Sequence, residues 1–168
     1  MVINDMKLLI AAPIKNMLEY KDKDHGVSHG LSEAGYDIRI AQNIEFKKDA
    51  SGIQCVGVMP PGHEPSFDEG RFCIASAMEE FDMPTHLVGI VHDKSSWARQ
   101  GLSVFNTVIE PGWKGFLTLE LVYHGNTGLV IPAGAGIAQV IFHELSSRVC
   151  YDGKYQNQEN RPVPARES

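Results

Sequence analysis

Apolar residues recur along this chain in short runs, many of them alternating, separated by clusters of Gly, Pro, Asn and Asp. Alternation places successive side chains on opposite faces of a strand. A first segment departs from that pattern. Asp5 to Ala12 reads as a short helix with Asn4 as its cap, stopped by Pro13. Residues 19–30 are polar and read as a loop. His25 and His29 within it have the spacing of a metal-binding pair on a helix, but Gly26 and Gly30 beside them oppose a helix. Tyr36 to Ile40 alternates as a strand. Residues 44–59 read as two strands around a hairpin turn at Asp49, Ala50, Ser51 and Gly52. Pro60 to Gly70 reads as a loop, Phe72 to Met78 opens a strand, and Met83 with Pro84 breaks the chain before a strand from Leu87 to Val91.

The same pattern continues to the C-terminal region. A turn at Pro111 to Gly115 precedes a strand over Phe116 to Val122. Further turns at His124 to Gly128 and Pro132 to Gly136 flank a strand at Leu129 to Ile131, and Ile137 to Phe142 reads as a buried strand. Short strands punctuated by Gly and Pro turns predict a mainly β domain, a barrel or a sandwich. The polar segment from Tyr151, with Pro162 and Pro164 keeping it extended, reads as a tail, either disordered or folded back. The expected organisation is thus one domain over residues 1–150 and a tail over 151–168.

Composition narrows the function classes. The chain has 168 residues, enough for one domain with a sizeable core. A formal net charge of −6 argues against nonspecific nucleic-acid binding, although a local cluster of cations still permits a phosphorylated ligand. Cys55, Cys73 and Cys150 have no CxxC spacing, and no secretory or membrane-spanning segment is recognisable, which predicts a cytoplasmic setting.

Candidate chemistry concentrates in residues 91–120. Lys94, Ser95, Ser96 and Arg99 crowd together, and the strand that follows carries Glu120. The cluster also reads as a capped helix start, with Asp93 or Ser95 as the cap. Glu120 shares a strand face with Phe116, Thr118 and Val122, while Leu117, Leu119 and Leu121 take the other. Apolar residues on both faces predict a strand covered on both sides. An acid there needs a partner or a raised pKa.

These segments resemble the dCTP deaminases and the bifunctional dCTP deaminase–dUTPases of the dUTPase-like superfamily. The resemblance rests on KSSWARQGL (94–102), IEPGWKGFLTLELV (109–122), SEAGYDIRI (32–40) and GKYQNQ (153–158), and it spans nearly the whole chain. It implies a distorted β-barrel or jelly-roll-like fold with a short N-terminal helix, assembled as a homotrimer with shared active sites and with the tail closing over the nucleotide. It also implies hydrolytic deamination of a deoxycytidine nucleotide, dCTP to dUTP and ammonia, without a zinc cofactor. The zinc deaminases carry an H-x-E…P-C-x-x-C signature. Here His63, Glu64 and Pro65 are only a fragment of it, with no Cys pair following.

By the resemblance, Glu120 is the general base and acid, Ser95 holds the water or tetrahedral centre, and Arg99 orients the carboxylate and stabilises developing charge. Lys94, Ser96, Lys154, Tyr155 and Gln158 fall at positions the family uses for phosphates and the closing tail. Thr107, Glu110, Trp113 and Tyr151 complete the implied substrate site. Magnesium would ride mainly on phosphate oxygens and waters, with Asp37 in an outer shell. The chain departs from the family in three places. Lys94 stands where arginine is usual, Glu110 stands where aspartate is usual, and the segment from Phe105 to Ile109 is shorter. The stretch from Gly134 to Gln139 also lacks an arginine frequent in dUTPases. Glu110 and the missing arginine weigh against a dUTPase. The alternatives are a dUTP diphosphatase or bifunctional enzyme, a dCMP or C5-modified dCTP deaminase, and a non-catalytic nucleotide-binding trimer.

Overall fold

The computed structural model describes residues 1–167. Ser168, the last residue of the expected tail, lies outside the described residues. The elements run in the order β1 (Val2–Ile3), α1 (Asp5–Ala11), β2 (Lys21–Asp24), β3 (Val27–Leu31), β4 (Tyr36–Arg39), β5 (Asn43–Lys48), β6 (Gln54–Met59) and β7 (Phe67–Glu69). They continue with β8 (Phe72–Asp82), β9 (Leu87–Asp93), α2 (Ser95–Ala98), β10 (Leu102–Val104), β11 (Val108–Ile109), β12 (Lys114–Tyr123), β13 (Leu129–Ile131) and β14 (Gly136–Glu144).

The molecule is mainly β, as its alternation predicts, but the strands form three open sheets rather than one closed barrel. A seven-stranded sheet follows the path β11-β9-β14-β4-β3-β2, with β1 added beside β14. A second sheet is ordered β10-β12-β8 and a third β13-β5-β6-β7. Every strand pair is antiparallel. The core lies between the sheets. Tyr36, Ile38, Phe46, Phe81, Val91, Leu121, Tyr123 and Phe142 are all almost wholly buried.

Several local expectations need correction. Residues 19–30 are not a loop: β2 and β3 form a hairpin whose turn residues, His25 and Gly26, both have positive φ, 49° and 79°. β2 is exposed at all four positions, so its polar sequence hides a strand that has no buried face. The same holds for the expected loop 60–70, where Phe67–Glu69 pairs with β6 as an edge strand. Asn4 sits at the helix N-terminus, but its side chain donates to the Glu33 carbonyl (2.8 Å) rather than capping. Neither Asp93 nor Ser95 caps α2: Lys94 holds the cap position, and Asp93 Oδ1 accepts from Val104 N at 2.7 Å. The turn at 49–52 does form, with Asp49 Oδ1 accepting from the amides of Ser51 (2.8 Å) and Ile53 (2.9 Å).

Candidate active site

β12 is the central strand of its sheet, paired with β8 along most of its length and with β10 near its end. Its register with β8 slips between Phe116 and Thr118, where Ala77, Met78 and Glu79 of β8 stand against Leu117 alone, so the bulge is on β8. The bulge breaks the simple alternation. Leu117, expected on the face away from Glu120, turns into the same cavity as Thr118 and Glu120.

That cavity measures about 550 Å³. One wall is β12 with Ile74 and Phe72 of β8, where Glu120 stands opposite Ile74 and Val122 opposite Phe72. A second wall comes from Thr107 to Glu110 and Trp113. The tail supplies the rest, through Tyr151, Tyr155, Gln158, Val163, Pro164 and Ala165. Glu120 is half-buried in this largely apolar surround. Desolvation pushes its carboxyl above the ordinary glutamate value of 4.5, opposed only in part by hydrogen bonding to its own backbone. No Lys or Arg among the described residues lines the cavity or pairs with Glu120 or Glu110.

The tail does not extend away as a free terminus. Tyr151 N donates to the Pro111 carbonyl (2.7 Å), and Trp113 Nε1 donates to the Tyr155 carbonyl (2.7 Å). Gln156 Oε1 accepts from Lys114 N at 2.7 Å. Gln158 then forms a parallel bridge with Gly115, and its carbonyl accepts from Phe116 N at 3.0 Å. Beyond the bridge, Thr118 Oγ1 accepts from both Gln158 Nε2 (2.5 Å) and Val163 N (3.1 Å). Arg166 N donates to the Tyr155 hydroxyl at 3.2 Å and so folds the last described residues back onto the tail turn.

The structure therefore divides the residues singled out by sequence into two groups. Glu120, Thr107, Glu110, Trp113, Tyr151, Tyr155 and Gln158 meet around one cavity. Lys94, Ser95, Ser96 and Arg99 sit on or beside α2 and do not line it; Lys154 is also outside, its ammonium donating to the Arg166 carbonyl at 2.6 Å. Ser95, Ser96 and Arg99 are exposed. Lys94 is turned inward instead. Its Nζ lies 2.5 Å from Asp37 Oδ2, with side-chain exposures of 10% and 4% for the pair. Buried Trp97 anchors the same turn by donating to the Gly136 carbonyl at 2.6 Å.

Sequence reasoning missed the apolar part of the cavity. Nothing in the pattern of a polar tail marks Val163 and Pro164 as wall residues. Thr118 was visible only as a neighbour of Glu120 on the strand face. Among the described residues, no group of three or more His, Cys, Asp or Glu side chains is arranged to hold a metal ion. His25 and His29 are separated on the β2–β3 hairpin, His25 at its exposed turn and His29 buried.

Comparison with known proteins bears on this architecture. A crystal structure of 2′-deoxycytidine 5′-triphosphate deaminase from Agrobacterium tumefaciens superposes with a TM-score of 0.57 at 18% identity, covering 85% of this chain and 48% of that one. The EIAV dUTPase superposes at 0.50 with 20% identity, over 86% of this chain and 94% of that one. A phage phi11 dUTPase of S. aureus, in which a structural Mg(II) ion is coordinated, superposes at 0.53 with 12% identity, over 84% and 95%. These likenesses establish a dUTPase-like fold. In sequence, the chain is 37% identical over 155 residues to the dCTP deaminase of Dechloromonas aromatica and 34% identical over 159 residues to that of Chlamydia muridarum, in each case covering 82% of this chain and 80% of the relative. A family model described as dCTP deaminase-like matches residues 14–145. Fold, relatives and family model agree, and the chain belongs to the dCTP deaminase-like family.

Proposed function

We propose that this protein is a hydrolytic deaminase of dCTP, converting it with water to dUTP and ammonia. The observation that carries the reading is Glu120: a carboxylate with raised proton affinity, set in an apolar cavity that a tail closes. In this reaction Glu120 takes a proton from the attacking water as its oxygen bonds to C4 of the pyrimidine. It returns that proton to the ring nitrogen, and a further transfer from the attacking oxygen to the amino group lets ammonia leave as the C4–N4 bond breaks. Burial supports this role because a base with raised affinity accepts a proton more readily near neutral pH.

Among the described residues, the cavity has no cation to stabilise the charge developing on the pyrimidine or to read phosphates. Arg99, Ser95 and Ser96 are exposed on α2 of the same chain. The reading therefore includes a homotrimer in which α2 of one protomer completes the cavity of another, with Arg99 steadying Glu120 and Ser95 holding the water. Trp113, Thr107 and Tyr151 would bound the base and sugar. Lys154, Tyr155 and Gln158 would close over the phosphates. Magnesium belongs to the substrate in this account, carried on phosphate oxygens. Asp37 does not suit a nearer role, because its carboxylate is buried against Lys94. The three cysteines are free thiols, in keeping with a cytoplasmic setting.

Glu110 also lines the cavity and so keeps dUTP diphosphatase as the second reading, although its extra methylene, where aspartate is usual, weighs against it. One experiment separates the two. Purified protein is incubated with dCTP and, separately, dUTP in the presence of magnesium, and ammonia and nucleotide products are quantified. Conversion of dCTP to dUTP that stops there, and that is lost in Glu120→Gln, is the expected result. Accumulation of dUMP and pyrophosphate from either nucleotide would favour the diphosphatase. Ammonia release by Glu120→Gln at the wild-type rate would overturn the role of Glu120.

A further inference from the structure

Gln156 belongs to the tail but does not line the cavity. Its side-chain amide reaches three backbone groups instead. Oε1 accepts from Lys114 N at 2.7 Å, and Nε2 donates to the Gly112 carbonyl at 3.0 Å and to the Tyr151 carbonyl at 3.3 Å. Gly112 and Lys114 flank Trp113, so one amide holds the backbone of that turn on both sides. The contact is reciprocal, because Trp113 Nε1 donates to the carbonyl of Tyr155, the residue before Gln156. Trp113, Tyr151 and Tyr155 all line the cavity. Carbonyls on one side and an N–H on the other fix which end of the amide faces which. Glutamine suits the place because it offers two donors and an acceptor at this reach, whereas a carboxylate offers acceptors only.

We propose that Gln156 is a positioning residue that ties the Trp113 turn to the tail, so that closing the tail and setting that wall of the cavity are one event. The inference rests on the deaminase reading. Gln156 itself touches neither nucleotide nor Glu120. It acts through Trp113, which bounds the base and sugar, and through Tyr155 and Gln158, which close over the phosphates. Without its amide, the backbone hydrogen bonds from Tyr151 N to the Pro111 carbonyl and from Asn157 N to the Lys114 carbonyl remain. The tail is therefore loosened rather than lost, and only a fraction of the free protein holds the closed arrangement. Apparent affinity falls by that fraction, because substrate binding must restore the closed state. Once dCTP is bound the same closed site forms, and the step on Glu120 proceeds as before. The signature is a raised KM with kcat retained.

The test is steady-state deamination of dCTP with magnesium by full-length wild type, Gln156→Glu and Gln156→Met, with melting temperatures alongside. Gln156→Glu keeps the length and the acceptor but sets an oxygen against two carbonyls. Gln156→Met keeps the length alone. Each should raise KM for dCTP by about tenfold, the scale of one or two neutral hydrogen bonds. In each, kcat should stay within about twofold of wild type. A merely structural role would lower the melting temperature and leave KM unchanged, and that result would overturn the proposal. So would a larger fall in kcat, which would place Gln156 in the chemical step. If Gln156→Glu does not fold, Gln156→Met is judged by the same two constants, and failure of both to fold would equally overturn it. Absence of ammonia release from dCTP by the wild type would overturn the deaminase reading and this inference together. Wild-type turnover with KM unchanged in the variants would overturn the inference alone.

Discussion

Glu120 carries a charge that its surroundings disfavour, and that conflict has a pH signature. Its folded-state affinity for a proton is raised by desolvation, so on acidification it protonates at a higher pH than an exposed glutamate. In its proposed role as the base it must be unprotonated, so kcat/KM should fall as pH drops, with an acid limb above the ordinary value of 4.5. The stability effect runs in the opposite direction. Because the native state holds the proton longer, the group's contribution is fully present below the unfolded pKa and is lost as pH rises through the folded one. A pH–rate profile of the wild type checks the first statement. Melting temperatures of wild type and Glu120→Gln across the same range check the second, and parallel curves would refute it. Elsewhere at this scale the sequence was a weaker guide. Identity alone could flag Lys94 as a candidate for phosphates, but only coordinates show its ammonium turned inward onto Asp37.

At the level of elements, what was legible depended on whether a strand has a buried face. Residues 36–39, 87–93 and 136–144 alternate or run apolar because they lie in the interior of a sheet, and they were readable. β2 and β7 sit at sheet edges with little burial, so their sequences carry turn-like polarity instead. The bulge of β8 opposite Leu117 was equally silent, since a register slip depends on the partner strand and leaves no mark in one strand's own pattern. The docking of the tail onto β12 has a sharper cause. Gly115 has φ +129°, and a Cβ there would lie 2.5 Å from Gln158 N and 2.6 Å from its carbonyl oxygen. Gly115→Ala should therefore displace the tail and strain the strand, lowering stability by about 1–3 kcal/mol. Thermal unfolding reads the cost. Limited trypsin digestion reads the displacement, through faster cleavage after Lys154 and Arg166. A cleavage rate equal to wild type would show that the tail does not depend on this close approach.

For the whole molecule, the fold class followed from patterning, and the motifs led to the family. The partition of the site did not, because a linear sequence does not say which copy of a chain a side chain serves. Glu120 and the tail close on one cavity, while Ser95, Ser96 and Arg99 face outward on α2. If the cavity of one protomer is completed by α2 of a neighbour in a cyclic trimer, the two halves of each site lie on different chains. Two variants each expected to be inactive, Glu120→Gln and Arg99→Met, then become complementary. When they are unfolded together in equal amounts and reassembled at random, a site is intact only if its acid comes from an Arg99→Met chain and its arginine from a Glu120→Gln chain. Each condition holds half the time, so activity should recover to about a quarter of the wild-type value. If both groups instead act within one chain, every chain lacks one of them, and the mixture should stay as inactive as its components. The sites would then be assembled in each protomer alone, and α2 would have to move toward Glu120 for the reaction to proceed.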